Sequence, residues 1–195
     1  MNILILSGFL GSGKTTALLK LARWLVDSGR NVVILENEVG EIGVDDKILS
    51  AGGLNVRNLF SGCACCTVSG EFTAAAQRIQ TELNPDLLII ETTGLADPQV
   101  CRENLKSALG IDARVAVLVD ASRWNRLIFA MEKLLAAQIY GSDAVLVNKC
   151  DLVSAETLAE VDDDVLMMYK AANIVRISAS DTVDESVWRA VVGEG

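Results

Sequence analysis

One segment near the start of the sequence indicates the fold of this chain: Ile3-Leu4-Ile5-Leu6-Ser7-Gly8-Phe9-Leu10-Gly11-Ser12-Gly13-Lys14-Thr15. An apolar run typical of a buried strand leads into the pattern G-x-x-x-x-G-K-[ST], and a segment of helical period follows. The glycines allow the backbone to curl so that several amide N–H groups point at one phosphate. The Lys14 ammonium can reach the β- and γ-phosphates, and the Thr15 hydroxyl can bind Mg²⁺. The stretch therefore predicts a nucleotide phosphate site made by Gly8, Gly11, Ser12, Gly13, Lys14, Thr15 and Thr16.

Beyond this loop, short apolar runs alternate with longer segments of helical period. Strands are predicted over residues 3–6, 32–35, 87–90, 115–119, 144–147 and 174–177. Helices are predicted over residues 14–27, 71–83, 98–109, 123–139, 155–171 and 183–192. The strands are rich in Val, Ile and Leu without in/out alternation, as expected for strands covered on both faces. We therefore predict a three-layer α/β fold with a doubly wound, mainly parallel sheet and ligands at the carboxyl ends of its strands.

Residues 36–70 interrupt this alternation. They contain acids, glycines and a cysteine cluster, with one short strand predicted at 54–59. A segment of this length with little regular structure is more often functional than idle. We expect residues 1–195 to form a single domain with no separate C-terminal domain.

Composition and charge exclude several classes of function. Lysine and arginine number 17 against 26 acids, for a net charge of −9, which argues against binding to nucleic acid or to an anionic membrane. Histidine is absent, which removes Ser-His-Asp and Cys-His catalysis and histidine-bound zinc. No stretch approaches the roughly 20 apolar residues that span a bilayer. Three of the five cysteines crowd together in a chain without an export signal, so we expect reduced thiols and a cytoplasmic location.

The tetrapeptide Asn148-Lys149-Cys150-Asp151 follows the fifth predicted strand and favours guanine over adenine. The Asp151 carboxylate can accept two hydrogen bonds from the guanine N–H and amino group, a donor pair that adenine lacks. The Lys149 stem can cover the ring, and Asn148 can brace neighbouring loops. Ser178-Ala179-Ser180 follows the next strand, and we expect the Ala179 amide to face the guanine carbonyl, with Ser178 beside it.

The segment Glu91-Thr92-Thr93-Gly94-Leu95-Ala96-Asp97-Pro98 begins where another predicted strand ends. An acid at that position can hold Mg²⁺ through a water molecule, which predicts that role for Glu91. The Gly94 amide can approach the γ-phosphate closely because glycine has no side chain. Such a contact exists only with the triphosphate, so the segment predicts a nucleotide switch.

Cys63, Cys65 and Cys66 form a cluster that suits a soft or borderline cation such as Zn²⁺, Co²⁺, Ni²⁺ or Cu⁺. Three buried small side chains and a redox dithiol are the alternatives. A fourth ligand can come from Glu36, from Glu41 or from a second subunit. These acids can instead lie on a solvated face, shape the Mg²⁺ site or orient the attacking water. Cys101 and Cys150 stand apart and are interpreted as structural.

Five elements, in this order, resemble the CobW-type metallochaperone GTPases, relatives of the urease accessory protein UreG and the hydrogenase accessory protein HypB. They are GFLGSGKTT at residues 8–16, ENEVG at 36–40, GCACC at 62–66, ETTGLADP at 91–98 and NKCD at 148–151. Val39 stands where the family usually has phenylalanine. CobW-type proteins usually continue into a C-terminal domain and often carry a histidine-rich tract, and we expect neither here.

The resemblance implies a P-loop NTPase fold of the SIMIBI-like type and slow GTP hydrolysis to GDP. It also implies delivery of a transition metal, Zn²⁺ or Co²⁺, to a client metalloprotein or cofactor-assembly protein, and nucleotide-dependent homodimerisation. In such proteins the three clustered cysteines bind the cargo metal. Lys14 and Thr15 match the residues that serve GTP and Mg²⁺, and Glu91 matches the Mg²⁺-linked acid.

Two other functions remain open from the sequence. The first is a GTP-gated interaction module that activates a partner without carrying metal. The second is a partitioning-type ATPase, which the Asn148–Asp151 motif disfavours, as does the lack of a lysine near the start of the phosphate loop.

Overall fold

A seven-stranded parallel sheet forms the centre of the protein. The computed structural model describes residues 1–36, 55–58 and 68–194. The strands are β1 (Asn2–Gly8), β2 (Val32–Glu36), β3 (Asn55–Asn58), β4 (Leu87–Glu91), β5 (Arg114–Asp120), β6 (Ala144–Asn148) and β7 (Ile174–Arg176). Every pairing between them is parallel. All the predicted strands are confirmed, the short one predicted at 54–59 over residues 55–58. The sheet is parallel throughout the described residues rather than only mainly so.

Helices connect the strands on both faces of the sheet. In the described ranges they are α1 (Lys14–Asp27), α2 (Val68–Glu82), α3 (Pro98–Leu109), α4 (Trp124–Ile139), α5 (Ala155–Met168) and α6 (Glu185–Val192). None of these helices combines the length and the apolar character that crossing a bilayer requires.

Several predicted helix boundaries are wrong. The helix predicted over 71–83 spans Val68–Glu82, and the one predicted from residue 123 begins at Trp124. Two further differences have a local reason. The helix predicted over 155–171 ends at Met168 because Tyr169 adopts an extended backbone (φ −148°, ψ 99°). The helix predicted from residue 183 begins at Glu185, because the Asp184 carboxylate accepts a hydrogen bond from Ser186 N–H and so caps the first turn.

Two hydrophobic cores flank the sheet and make the three predicted layers. On one face, β1 contributes Ile3 and Ile5, which belong to the same core as apolar residues of α2, α3, α4 and α5. On the other face, Leu4 and Leu6 belong to a core with α1 and α6. Successive residues of a strand point to opposite faces, so a strand covered on both sides has a nearly continuous apolar run rather than an alternating pattern. The continuous apolar runs of the sequence follow from this geometry.

The strand order β3-β2-β4-β1-β5-β6-β7 puts β1 at the middle of the sheet. The chain moves outward from β1 to β2 and β3, returns to β4 beside β1, and then continues on the other side through β5. Loops at the carboxyl ends of β1, β4, β5 and β6 therefore meet at one edge, where doubly wound sheets bind their ligands.

Candidate nucleotide-binding site

The loop between β1 and α1 has a backbone that only glycine accommodates at two positions. Gly8 and Gly13 have φ of 137° and 99°. A Cβ on Gly8 would lie 2.3 Å from the Leu118 carbonyl oxygen, and one on Gly13 would lie 2.3 Å from Asn148 Nδ2. The loop therefore curls closely against β5 and β6, as a phosphate-binding loop requires.

Lys14 lies inside this loop. Its Nζ donates to the carbonyl oxygens of Gly8 (3.0 Å) and Phe9 (3.4 Å). Burial lowers the pKa of the Lys14 ammonium below its ordinary value, although the nearby Glu91 carboxylate acts in the opposite direction. An anion bound in the loop would compensate this buried positive charge. The first turn of α1 adds further N–H groups, since Gly13 at its N-cap supplies no side-chain acceptor for them.

Three successive carbonyl groups of the loop accept hydrogen bonds from side chains on the convex side of the loop. Arg123 Nη2 donates to Leu10 O (2.6 Å), Lys149 Nζ to Gly11 O (2.9 Å) and Asn148 Nδ2 to Ser12 O (2.8 Å). In a trans peptide the C=O and the following N–H point in opposite directions. Holding the carbonyls of Leu10 and Ser12 outside therefore turns the N–H groups of Gly11 and Gly13 toward the concave side of the loop.

Asp120, at the end of β5, connects two of these three side chains. Its carboxylate is fully buried and accepts from Arg123 Nε (2.6 Å) and Lys149 Nζ (2.7 Å). Burial alone would raise the pKa of Asp120, but hydrogen bonds from Lys149, Ser122 and Arg123 outweigh it and hold the pKa below its ordinary value. Neither Asp120 nor Arg123 was predicted from the sequence. An acid directly after a buried apolar strand is a signal that could have found Asp120.

The predicted base-binding residues are brought together. Asn148 Oδ1 accepts the Ala179 N–H (2.8 Å), so this amide braces Asn148. The predicted contact of the Ala179 amide with a guanine carbonyl stays a prediction. Asn148 thus joins the loop after β7 to the phosphate loop. Ser178 Oγ donates to Asp151 Oδ1 (2.6 Å), which holds the exposed Asp151 carboxylate in place. Lys149 adopts a left-handed backbone (φ 64°) that carries its ammonium to the phosphate loop.

The predicted Mg²⁺ residues are in contact. Thr15 Oγ1 donates to Glu91 Oε1 at 3.0 Å, which joins the start of α1 to the end of β4. Glu36 ends β2 in register with Glu91, and it is 4% exposed. The interpretation of Glu36 as part of a solvated face is therefore wrong. Hydroxyl and carboxylate oxygens are the ligands that Mg²⁺ prefers, so this donor set fits the ion. Thr16 follows on α1 and is exposed.

Gly94, the predicted γ-phosphate sensor, packs directly on the phosphate loop. A Cβ at this position would lie 2.6 Å from Leu10 Cγ and 2.7 Å from Leu10 N. The segment after β4 and the loop after β1 are therefore in close contact where only glycine fits.

The predicted transition-metal ligands Glu41, Cys63, Cys65 and Cys66 lie outside the described residues. Within the ranges that the structure describes, no group of three or more Cys, Asp or Glu side chains is arranged to hold a metal ion. Burial raises the pKa of the Cys101 thiol to about 12 and also raises that of Cys150. Both are therefore protonated at neutral pH, which agrees with their interpretation as structural residues.

A family model described as the nucleotide-binding domain of CobW/HypB/UreG matches residues 2–176. The chain belongs to this family. The chain is 31% identical over 194 residues to the zinc chaperone CobW of a Sinorhizobium species, covering 83% of this chain and 54% of that protein. It is 32% identical over 188 residues to the zinc-regulated GTPase metalloprotein activator 1 of Schizosaccharomyces pombe, covering 89% and 44%. The chain thus spans about half the length of these relatives.

Solved structures of the CobW/HypB/UreG family share the fold. The hydrogenase maturation factor HypB of Archaeoglobus fulgidus superposes with a TM-score of 0.67 at 16% identity, over 98% of this chain and 90% of that one. HypB of Helicobacter pylori, solved in complex with nickel, gives 0.63 at 23% identity, over 98% and 82%. These likenesses confirm the predicted P-loop fold, and the family is one of P-loop GTPases.

Proposed function

We propose that this chain binds guanine nucleotides with Mg²⁺ at the carboxyl edge of its sheet and hydrolyses GTP slowly. The observation that carries the proposal is the position of Asn148. Its side chain donates to Ser12 O and accepts from Ala179 N–H, so one buried amide joins the phosphate loop to the loop beside Asp151. A phosphate loop and a carboxylate that can recognise guanine then belong to one rigid site.

The local charge supports a polyphosphate ligand although the whole chain is acidic. Lys14, Lys149 and Arg123 all donate to carbonyl groups of the phosphate loop. Asp120 neutralises part of this charge, and the lowered pKa of Lys14 marks a cation whose burial a bound anion would stabilise. Thr15 and Glu91 are the residues that would hold Mg²⁺, which would neutralise charge on the β- and γ-phosphates. Arg123 is engaged by Asp120 and Leu10, which is consistent with slow intrinsic turnover.

The second part of the proposal is that nucleotide state controls the binding of a transition metal, with Cys63, Cys65 and Cys66 as its ligands and Glu36 or Glu41 as a further donor. Relatives named as zinc chaperones and a nickel-bound HypB support a metal cargo, with Zn²⁺ or Co²⁺ expected here. The metal would pass to a client metalloprotein or cofactor-assembly protein in the cytoplasm, and the GTP-bound form would be a homodimer.

Two measurements test the proposal. Displacement of a fluorescent GDP analogue by GTP, GDP and ATP, with and without Mg²⁺, should rank GTP and GDP far ahead of ATP. Metal titration of the reduced protein with a GTP analogue or with GDP should give different Zn²⁺ affinities, and GTP affinity should change by the same factor when metal is present. Equal metal affinities in the two nucleotide states would contradict the coupling while leaving the GTPase intact.

A second candidate, a GTP-gated interaction module without a metal cargo, is favoured by two exposed apolar side chains at the site. Leu10 is 55% and Leu95 58% exposed, and they lie on the phosphate loop and on the segment that packs against it. Changing the three clustered cysteines to serine separates the two functions. If the serine variant loses both metal binding and client activation, the metallochaperone is supported. If client activation survives the loss of metal binding, the interaction module is supported.

A further inference from the structure

Gln138, on the last turn of α4, contacts the segment between β4 and α3 through its side-chain amide. Nε2 donates to Gly94 O and to Ala96 O, each at 3.1 Å. The residue is 1% exposed, and its Oε1 is buried without a hydrogen-bond partner in the described part of the chain. A buried polar side chain in a helix that otherwise packs apolar residues calls for a physical reason.

The orientation of this amide follows from its surroundings. Both hydrogens of Nε2 are used by carbonyl oxygens. A flipped amide would turn Oε1 toward the same two oxygens, which would lose both hydrogen bonds and place acceptors against acceptors. Gln138 therefore donates two hydrogen bonds to one short loop. Leucine or methionine at this site could not replace it, because neither has an N–H donor.

The loop that Gln138 contacts is anchored independently at its two ends. At its start, Thr92 donates to Ser7 Oγ through Oγ1 and to Leu6 O through its backbone N–H. At its end, the Asp97 carboxylate accepts from Gln99 N–H and caps α3. Between these anchors is Gly94, which lies in a turn closed by the Ala96 N–H donating to Thr93 O at 3.1 Å and has no side chain of its own to fix it. Loss of the Gln138 hydrogen bonds would therefore free the middle of the loop without detaching the loop from the sheet.

We propose that Gln138 is a positioning residue that holds Gly94 against the phosphate loop and thereby sets the preference of this protein for GTP over GDP. The inference rests on the proposed function, because it acts through the contact of Gly94 with the γ-phosphate. Gly94 is already docked on Leu10, with no space for a Cβ between them. Gln138 holds this glycine in place by donating a hydrogen bond to its carbonyl oxygen. GDP lacks the γ-phosphate, so the affinity of the protein for GDP should not depend on the position of Gly94.

The test compares Gln138→Leu with the matched control Gln99→Leu. Gln99 also donates its Nε2 to a backbone carbonyl near the end of α4, that of Tyr140 at 3.0 Å, but it does not hold the carbonyl of Gly94. Affinities for GDP and for a non-hydrolysable GTP analogue are measured by displacement of a fluorescent nucleotide. We expect the ratio of GTP-analogue to GDP affinity to fall about tenfold in Gln138→Leu, as for the loss of one to two hydrogen bonds. In Gln99→Leu the ratio should stay at its wild-type value.

A second variant, Gln138→Glu, makes the ratio of GTP-analogue to GDP affinity depend on pH, which a merely structural role of Gln138 would not do. A buried carboxyl group facing two carbonyl oxygens has a raised pKa, and its protonated form can donate one hydrogen bond. Relative to wild type at the same pH, the affinity ratio of Gln138→Glu should therefore recover as the pH is lowered from about 8 to about 6. This variant also serves if Gln138→Leu does not fold.

Each outcome decides one of the two proposals. A wild-type protein that binds neither guanine nucleotide overturns the proposed function and this inference with it. A wild-type protein that binds both nucleotides, together with Gln138 variants whose affinity ratio matches wild type at every pH, overturns only the role of Gln138. An equal loss of affinity for both nucleotides would do the same, because it would identify Gln138 as a general structural residue.

Discussion

Replacement of Asp120 by asparagine should lower both the free energy of unfolding and the affinity for guanine nucleotides. The Asp120 carboxylate is fully buried and accepts from Ser122 through Oδ1 and from Arg123 and Lys149 through Oδ2. Asparagine has nearly the same shape and can keep an oxygen toward Ser122. Its Nδ2 would then face two cationic donors, so that both charge-assisted hydrogen bonds are lost and like partial charges meet.

The magnitude follows from the burial of the three groups. The acceptor is fully buried, whereas the side chains of Arg123 and Lys149 are 40% and 30% exposed and can regain water. We therefore assign each lost hydrogen bond about 1 to 1.5 kcal/mol, less than a fully buried charged bond, for a total of about 2 to 3 kcal/mol. The freed cations also no longer hold the carbonyls of Leu10 and Gly11, so GTP and GDP affinities should fall together.

Urea denaturation measures the first effect and nucleotide displacement the second. Asp112→Asn is the matched control, since Asp112 also contacts two cations, Arg102 and Lys106, but on the surface. It should leave both measurements close to wild type. A double-mutant cycle with Arg123→Gln should give non-additive free energies of unfolding. If Asp120→Asn is as stable as wild type, or if the two changes add, the assignment of Asp120 as the connection between these side chains is refuted.

The same carboxylate predicts a pH dependence of stability. The pKa of Asp120 is lower in the folded protein than in the unfolded chain, where it is about 3.9. Its contribution is therefore fully present above that pH and is lost as the pH falls through the folded-state pKa. The difference in unfolding free energy between wild type and Asp120→Asn should stay constant from neutral pH to about pH 4 and shrink in more acidic solution. A difference that instead grows on acidification would contradict the sign of the shift.

Three further changes test the rest of the site. Gly94→Ala should lower the affinity for a GTP analogue about tenfold more than the affinity for GDP, because the new Cβ would overlap Leu10 and displace residue 94 from the phosphate loop; equal losses for both nucleotides would contradict this. Ser178→Ala removes the hydrogen bond that holds Asp151, so the preference for GTP over ATP in a competition assay should fall about threefold to tenfold, and an unchanged preference would argue against this support. Glu91→Gln should raise the Mg²⁺ concentration at half-maximal GTP hydrolysis about tenfold, whereas a wild-type Mg²⁺ dependence would remove Glu91 from the metal site.

The order of strands and helices could be read from the sequence because each element carries its own local signal. A strand covered on both faces has a continuous apolar run, and β1, β5 and β6 show such runs (ILIL, VAVLV and AVLV) in the residue letters alone. The ends of elements were less predictable. The extended backbone of Tyr169 and the capping carboxylate of Asp184 are single-residue events, too small to change the periodicity of the segments they terminate.

The candidate site divides in the same way. Lys14, Thr15 and Glu91 were predictable because motifs of fixed spacing identify them, and Thr15 does contact Glu91 across 76 residues of sequence. Arg123 and Gln138 belong to no such motif. Arg123 donates to Leu10 O across 113 residues and Gln138 to Gly94 O across 44, and neither contact leaves a trace in the sequence around it.

The phosphate loop, the guanine-type tetrapeptide and the parallel α/β core were predictable from the residue letters, because those properties depend on residues that are neighbours or recur with a fixed period. The groups that support them come from distant parts of the chain and are visible only in the folded protein. The parallel sheet brings the ends of β1, β5 and β6 to one edge, so that Asp120, Asn148 and the phosphate loop can share hydrogen bonds. It also places the Ala179 N–H against Asn148 Oδ1, so that this buried side-chain oxygen has a hydrogen-bond donor.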